Sequence, residues 1–91
     1  MSGVAIKEPP AGKATRITTA TTTVVKVGRG ILLRIIVGTT AAGTITVQNG
    51  AGTAVAVLKA SIPEGVYEFG VEMNGITVVT AAASDITVVY L

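Results

Sequence analysis

Glu64, Glu68 and Glu72 recur at every fourth position, and paired carboxylates are an acid–base device open to a chain without histidine. On a strand these side chains share one face, yet successive members lie about 13 Å apart at about 3.3 Å per residue. That is wider than the carboxylate separations glycosidases use, so the series reads as a solvated strand face. Nucleophilic catalysis lacks its parts as well. The serines are Ser2, Ser61 and Ser84, none sits in a glycine-flanked elbow, and no histidine is present to activate them. The "GRG" of residues 28–30 has neither phosphate-loop nor dinucleotide spacing and reads as a turn. Asp85 has no second carboxylate close in sequence, which favours a turn or strand-start role over a calcium ligand. Without cysteine or histidine the usual zinc ligands are missing too. Single-stranded nucleic acid asks for aromatic platforms among basic residues. Here Tyr67, Phe69 and Tyr90 lie in the acidic half of the chain, a distribution that also disfavours a sugar-binding platform. The residues thus predict no enzyme, no cofactor, no metal, no nucleic-acid partner and no small-molecule substrate.

The elements available to position side chains are strands. Fourteen valines, fourteen threonines and nine isoleucines make the chain rich in β-branched residues, which are stiff at χ1 and suit a pleated surface. Eleven glycines supply turn positions. At 91 residues one small domain is expected, with a core too small for ample stability. Small scaffolds usually add disulfides, a metal or association with other chains. Cysteine is absent, so association is the remaining route.

Mean hydropathy is high at +0.70, yet no stretch approaches the roughly 20 apolar residues of a membrane helix. The best run, "ILLRIIVG" at 31–38, carries Arg34 in its middle. "MSGVAIKEPP" lacks the apolar stretch of a signal peptide. A soluble chain made in the cytoplasm, without a membrane partner, is the expectation. Charge is uneven along the sequence. Residues 1–34 hold Lys7, Lys13, Arg16, Lys26, Arg29 and Arg34 against Glu8 alone, whereas 59–91 hold Lys59 against Glu64, Glu68, Glu72 and Asp85. The two halves can pair within the fold or between copies.

Residues 1–13 read as an extended N-terminal arm, because Pro9–Pro10 forbids regular pairing while Val4 and Ile6 provide alternate apolar anchors. Such an arm is either disordered or laid across a neighbouring subunit. From residue 14 to 91, strand-like runs with frequent turn signals predict an all-β domain, a small antiparallel β-sandwich or jelly roll of about eight short strands. The runs are 14–19, 22–27, 30–38, 43–49, 54–60, 65–73, 75–80 and 85–91, with Asn49–Gly50 and Asn74–Gly75 as tight-turn pairs. Alternation puts Ile45 and Val47 inward, and places Tyr67, Phe69, Val71 and Met73 on one face. It sets Ile31, Leu33, Ile35 and Val37 against Leu32, Arg34 and Ile36. The word "ITVV" occurs at 76–79 and again at 86–89, and reads as two neighbouring strands feeding Ile and Val pairs to one core. Leu32, Ile36, Leu58, Val79, Val89 and Leu91 then form a surplus apolar face for contact between subunits.

Three stretches, "TTTVVKVGRGILLRIIVGTTAAGTITVQNG", "IPEGVYEFGVEMNGITVV" and "DITVVYL", resemble small β-proteins encoded among bacteriophage structural genes. The shared pattern is a Val-Val-Lys strand, a glycine-bounded turn, a long Leu/Ile strand with an arginine, and Gly-Thr-Ile-Thr-Val. A Pro-x-Gly turn, an aromatic strand, an Asn-Gly-Ile-Thr-Val strand and a closing Asp-Ile-Thr-Val-Val-Tyr follow. The resemblance spans residues 14–91. It implies a virion protein, most like a capsid decoration (cement) protein that binds the outside of the head as a homotrimer. The partners it implies are copies of itself and the major capsid protein. In that setting Val4, Ile6, Pro9 and Pro10 would reach a neighbour, and Arg16, Lys26, Arg29 and Arg34 would steer docking onto an acidic shell. Tail, neck and head-fibre modules share this kind of domain, and a small adhesion or carbohydrate-binding domain is a more distant alternative.

Overall fold

The computed structural model describes residues 12–50 and 52–91. The arm positions Val4, Ile6, Pro9 and Pro10 lie outside them. The described chain is all-β: β1 (Lys13–Ile17), β2 (Thr22–Thr39), β3 (Ile45–Asn49), β4 (Thr53–Leu58), β5 (Gly65–Thr80) and β6 (Asp85–Tyr90). Lys13, expected at the end of the arm, already belongs to the first strand. All six pair antiparallel in one sheet of order β1-β6-β2-β5-β3-β4.

Eight expected strands become six because two of the expected turns are bends inside long strands. The break at 28–30 falls within β2 and the one at Asn74–Gly75 falls within β5. The register sets these breaks side by side, with Arg29 opposite Asn74 and Lys26 opposite Ile76. Gly28 (φ +81°) and Gly75 (φ +105°) adopt backbone conformations that other residues rarely take. A glycine that permits φ > 0 supports either a hairpin or a bend. Here each strand already has its partner some fifty residues away, so both bend together. Asn49–Gly50, by contrast, does open a hairpin, with Asn49 pairing Thr53 across it.

The bend divides the sheet into two regions. In the first, Leu32–Val37 of β2 lies between β6 on one side and Val71–Gly65 of β5 on the other, with β1 beyond β6. In the second, Ile76–Thr80 of β5 lies between Thr22–Lys26 of β2 and β3, with β4 beyond β3. One hydrophobic core draws on both: Ile17, Leu32, Ile35, Val37, Ile86 and Val88 from the first region, and Ile45, Val47, Ile76 and Val78 from the second. Thr80 locks the β1–β2 connection to this core. Its hydroxyl donates to the Thr19 carbonyl (2.6 Å) and accepts from the Thr21 N–H (3.1 Å).

Two face assignments are corrected. A bulge at Leu33 leaves that residue unpaired between Leu32↔Tyr90 and Arg34↔Val89, and the extra residue reverses the alternation. Leu32 is therefore fully buried together with Ile35 and Val37, while Leu33 is half-buried. On β5, Phe69 and Gly70 stand between the paired residues Glu68 and Val71, with Gly70 at φ +71°. Tyr67, Phe69 and Met73 still meet the core, whereas Val71 is exposed. The "ITVV" copies are not neighbours either, since β2 separates β5 from β6. Their facing is as read: Ile76, Val78, Ile86 and Val88 are all fully buried.

Candidate interaction surfaces

Cross-strand partners share a face, so the register assembles the outer surface row by row. Opposite the core, the first region presents Arg16–Thr87–Ile36–Val66 and Ala14–Val89–Arg34–Glu68. The second presents Thr22–Val79–Thr46–Val57 and Val24–Thr77–Gln48–Ala54, in which Thr77 is itself covered at 4% exposure. These two surfaces differ in chemistry. The first carries cations and carboxylates; the second carries none, and Val24 (62% exposed) and Val57 (58%) stand open on it.

The cations of the N-terminal half find carboxylates of the C-terminal half within the same molecule. Arg16 donates from Nε and Nη2 to the two Asp85 oxygens at 2.9 and 2.8 Å. Arg34 Nε reaches both Glu68 oxygens at 3.1 and 3.3 Å, and Arg29 lies 3.7 Å from Glu72. The fork of hydrogen bonds from Arg16 holds the Asp85 carboxyl below its ordinary range, and Asp85 in turn raises the guanidinium. The antiparallel order β1-β6-β2-β5 explains the pairing, because it alternates basic and acidic stretches of sequence. Three arginines expected to face a partner thus have a local one.

The apolar candidates divide. Ile36 lies on the outer face at 36% exposure and Leu91 is exposed to the same degree, its backbone paired with Ile31. Val79 is half-buried within the neutral surface. Val89 points outward but retains only 8% exposure; a side chain at Gly12 would come within 3.5 Å of it and 3.2 Å of Leu33. Leu32 is a correction, for it is fully buried and has no free surface to give to a subunit contact. Leu58 is half-buried, packed in part against the core. Val24, Val55, Val57 and Val66 are exposed apolar residues absent from the sequence candidates. Alternation within β4 was the signal available for Val55 and Val57; Val24 required the register with β5.

Among the described residues there is no enclosed pocket, no cluster of three potential metal ligands, and no helix long and apolar enough to cross a membrane. No protein family, curated protein or solved structure matches the chain.

Proposed function

We propose that this chain is a structural protein of a phage particle that binds the outer surface of the capsid as an oligomer and stabilises the shell by bridging capsomers. The observation that carries the reading is the uncharged Val/Thr surface spanning β2, β5, β3 and β4, with Val24 and Val57 more than half exposed. A surface without charges can be covered without stranding an ion in a low-dielectric contact. Burying apolar area contributes about 25 cal/mol per Å² before the cost of association. Three valines on one copy therefore bind weakly, and an array of copies across a shell binds collectively. The three arginine–carboxylate pairs reduce long-range charge steering and leave recognition to contact. In this reading the bent sheet closes over its shared core in the manner of a small sandwich, a rigid block suited to clamping. Residues 1–11 supply a second attachment through Val4 and Ile6.

The test is particle imaging with and without the protein, on purified expanded heads incubated with the full chain. Density over the outer shell and a higher temperature of head disruption are the expected results. Density confined to tail or neck would move the protein to that structure, and no binding to any particle would end the proposal.

A further inference from the structure

Among the described residues, four stretches of the sheet have an open hydrogen-bonding edge: β1, β4, the Thr22–Lys26 part of β2 and the Gly65–Val71 part of β5. Open edges invite pairing with another chain, and charged side chains are a common means of blocking it. Lys13 and Arg16 guard β1, Lys26 lies on the β2 edge, and Glu68 on the β5 edge. β4 reads Thr-Ala-Val-Ala-Val-Leu and carries no charge. Its Ala56 and Leu58, opposite Val47 and Ile45 of β3, lie at the margin of the core and are only half-buried. The bulge at Val55 interrupts the regular edge, so residues 56–59 are the stretch that a further strand can follow.

We infer that residues 3–6 of one copy of this chain add to that stretch of a neighbouring copy as an antiparallel strand, with Val4 beside Leu58 and Ile6 beside Ala56. The sequence selects this occupant. Val4 and Ile6 are two positions apart, as are Ala56 and Leu58, so both apolar side chains fall on the core face and cover its open margin. Gly3-Val4-Ala5-Ile6 is uncharged like the edge it meets, and Pro9–Pro10 prevents the pairing from running on past the bulge. Charge sets the direction. The antiparallel register places Gly3 opposite Lys59 and Lys7 opposite Val55, whereas the parallel one places Lys7 opposite Lys59.

The acceptor is a second copy because a chain's own β4 is out of reach. Ile6 stands six residues before Gly12, a span of at most about 22 Å. β1, which begins at Lys13, and β4 are the first and last strands of the order, about 24 Å apart across the sheet at the usual spacing. The bend lies within β2 and β5 and does not draw the two ends of that order together. Each copy gives one segment and accepts one, a head-to-tail contact of the kind that closes small cyclic assemblies. So short a strand covers far less than the roughly 800 Å² per partner of a stable complex. The exchange is therefore weak in solution and fills as concentration rises. Copies side by side on a shell experience effective concentrations in about the millimolar range, where it is occupied. That last step rests on the capsid reading; the contact itself does not.

The chain has no cysteine of its own, so introduced thiols report the contact. A chain with Ala5→Cys and a chain with Val57→Cys, mixed at about 1 mM, should form the mixed disulfide faster than either forms its own pair, since Ala5 stands opposite Val57. Sedimentation equilibrium of the full chain over the same range should show a mass rising above one chain. Val4→Asp with Ile6→Asp should weaken that association by about tenfold or more, with the circular dichroism of the sheet unchanged. A synthetic peptide of residues 1–11, added to the full chain at micromolar dilution, should shift the amide resonances of residues 56–59. Association indifferent to the double aspartate variant, a peptide that moves another edge instead, or no preference for the mixed disulfide would overturn the inference. A chain carrying both cysteines that closes its disulfide internally at micromolar dilution would place the segment on its own molecule and overturn the exchange. Head binding separates the two proposals: heads decorated by a variant that no longer associates leave the capsid reading standing, while exchange without head binding removes that reading alone.

Discussion

Leu32 and Asp85 show how much a single neighbour decides. Leu32 reads as an outward residue by simple alternation, and one bulged residue turns it into the core. Leu32→Ala should accordingly lower folding stability by about 2–5 kcal/mol, seen as a lower denaturation midpoint at dilutions where the chain is a monomer. A loss visible only in an oligomer would contradict its place in the core. Asp85 is held below its ordinary range chiefly by the hydrogen bonds from Arg16. Because the folded form binds its proton less readily than the unfolded form, the pair stabilises the fold above the ordinary carboxylate range. That contribution fades as pH falls through the depressed folded value. Asp85→Asn should flatten the acid limb of the thermal midpoint below about pH 4 and leave its slope near neutrality unchanged. An acid limb identical to that of the parent chain would show that other carboxylates govern it.

At the scale of the elements, the paired bend of β2 and β5 is the decisive feature. A side chain at Gly75 would approach the Gly50 Cα to 3.1 Å, and the Gly50 N–H donates to the Gly75 carbonyl at 2.9 Å. Gly28, on the other strand of the bend, has open space around it. Gly28→Ala therefore meets only the backbone cost of positive φ, about 1–2 kcal/mol. Gly75→Ala adds a backbone collision, and its loss should exceed that of Gly28→Ala in parallel chemical denaturation. Equal losses would mean that the contact with Gly50 relaxes freely. The eight short runs were legible in composition and punctuation. That two of their breaks are bends was not, because a glycine at positive φ serves a hairpin and a bend alike, as Gly50 does in the one and Gly28 and Gly75 in the other.

At the scale of the whole molecule, the two outer surfaces separate charge from apolar area. The first region holds Arg16, Arg34, Glu68 and Asp85, and the second has a neutral Val/Thr surface bounded by the neutral edge of β4. Under the capsid reading, deleting residues 1–11 should reduce occupancy on heads by about tenfold or more, since it removes one of two linked attachments. The unfolding midpoint should move little, because β1 begins at Lys13. Full occupancy without the segment would assign all binding to the sheet. Loss of the fold itself would show that the segment belongs to the domain.

Composition settled the all-β class, because β-branched side chains and scattered glycines leave few alternatives. Strict alternation settled the inward face of β3, with Ile45 and Val47 buried as read. It also settled the inward pairs of both "ITVV" words. What tertiary structure decided is which strands meet. Strand order paired each arginine with a carboxylate far away in sequence, put Leu58 against the core, and exposed the neutral surface around Val24. Pairing partners, bulges and the resulting face of each residue depend on contacts between positions tens of residues apart, and no local pattern of residue types encodes them.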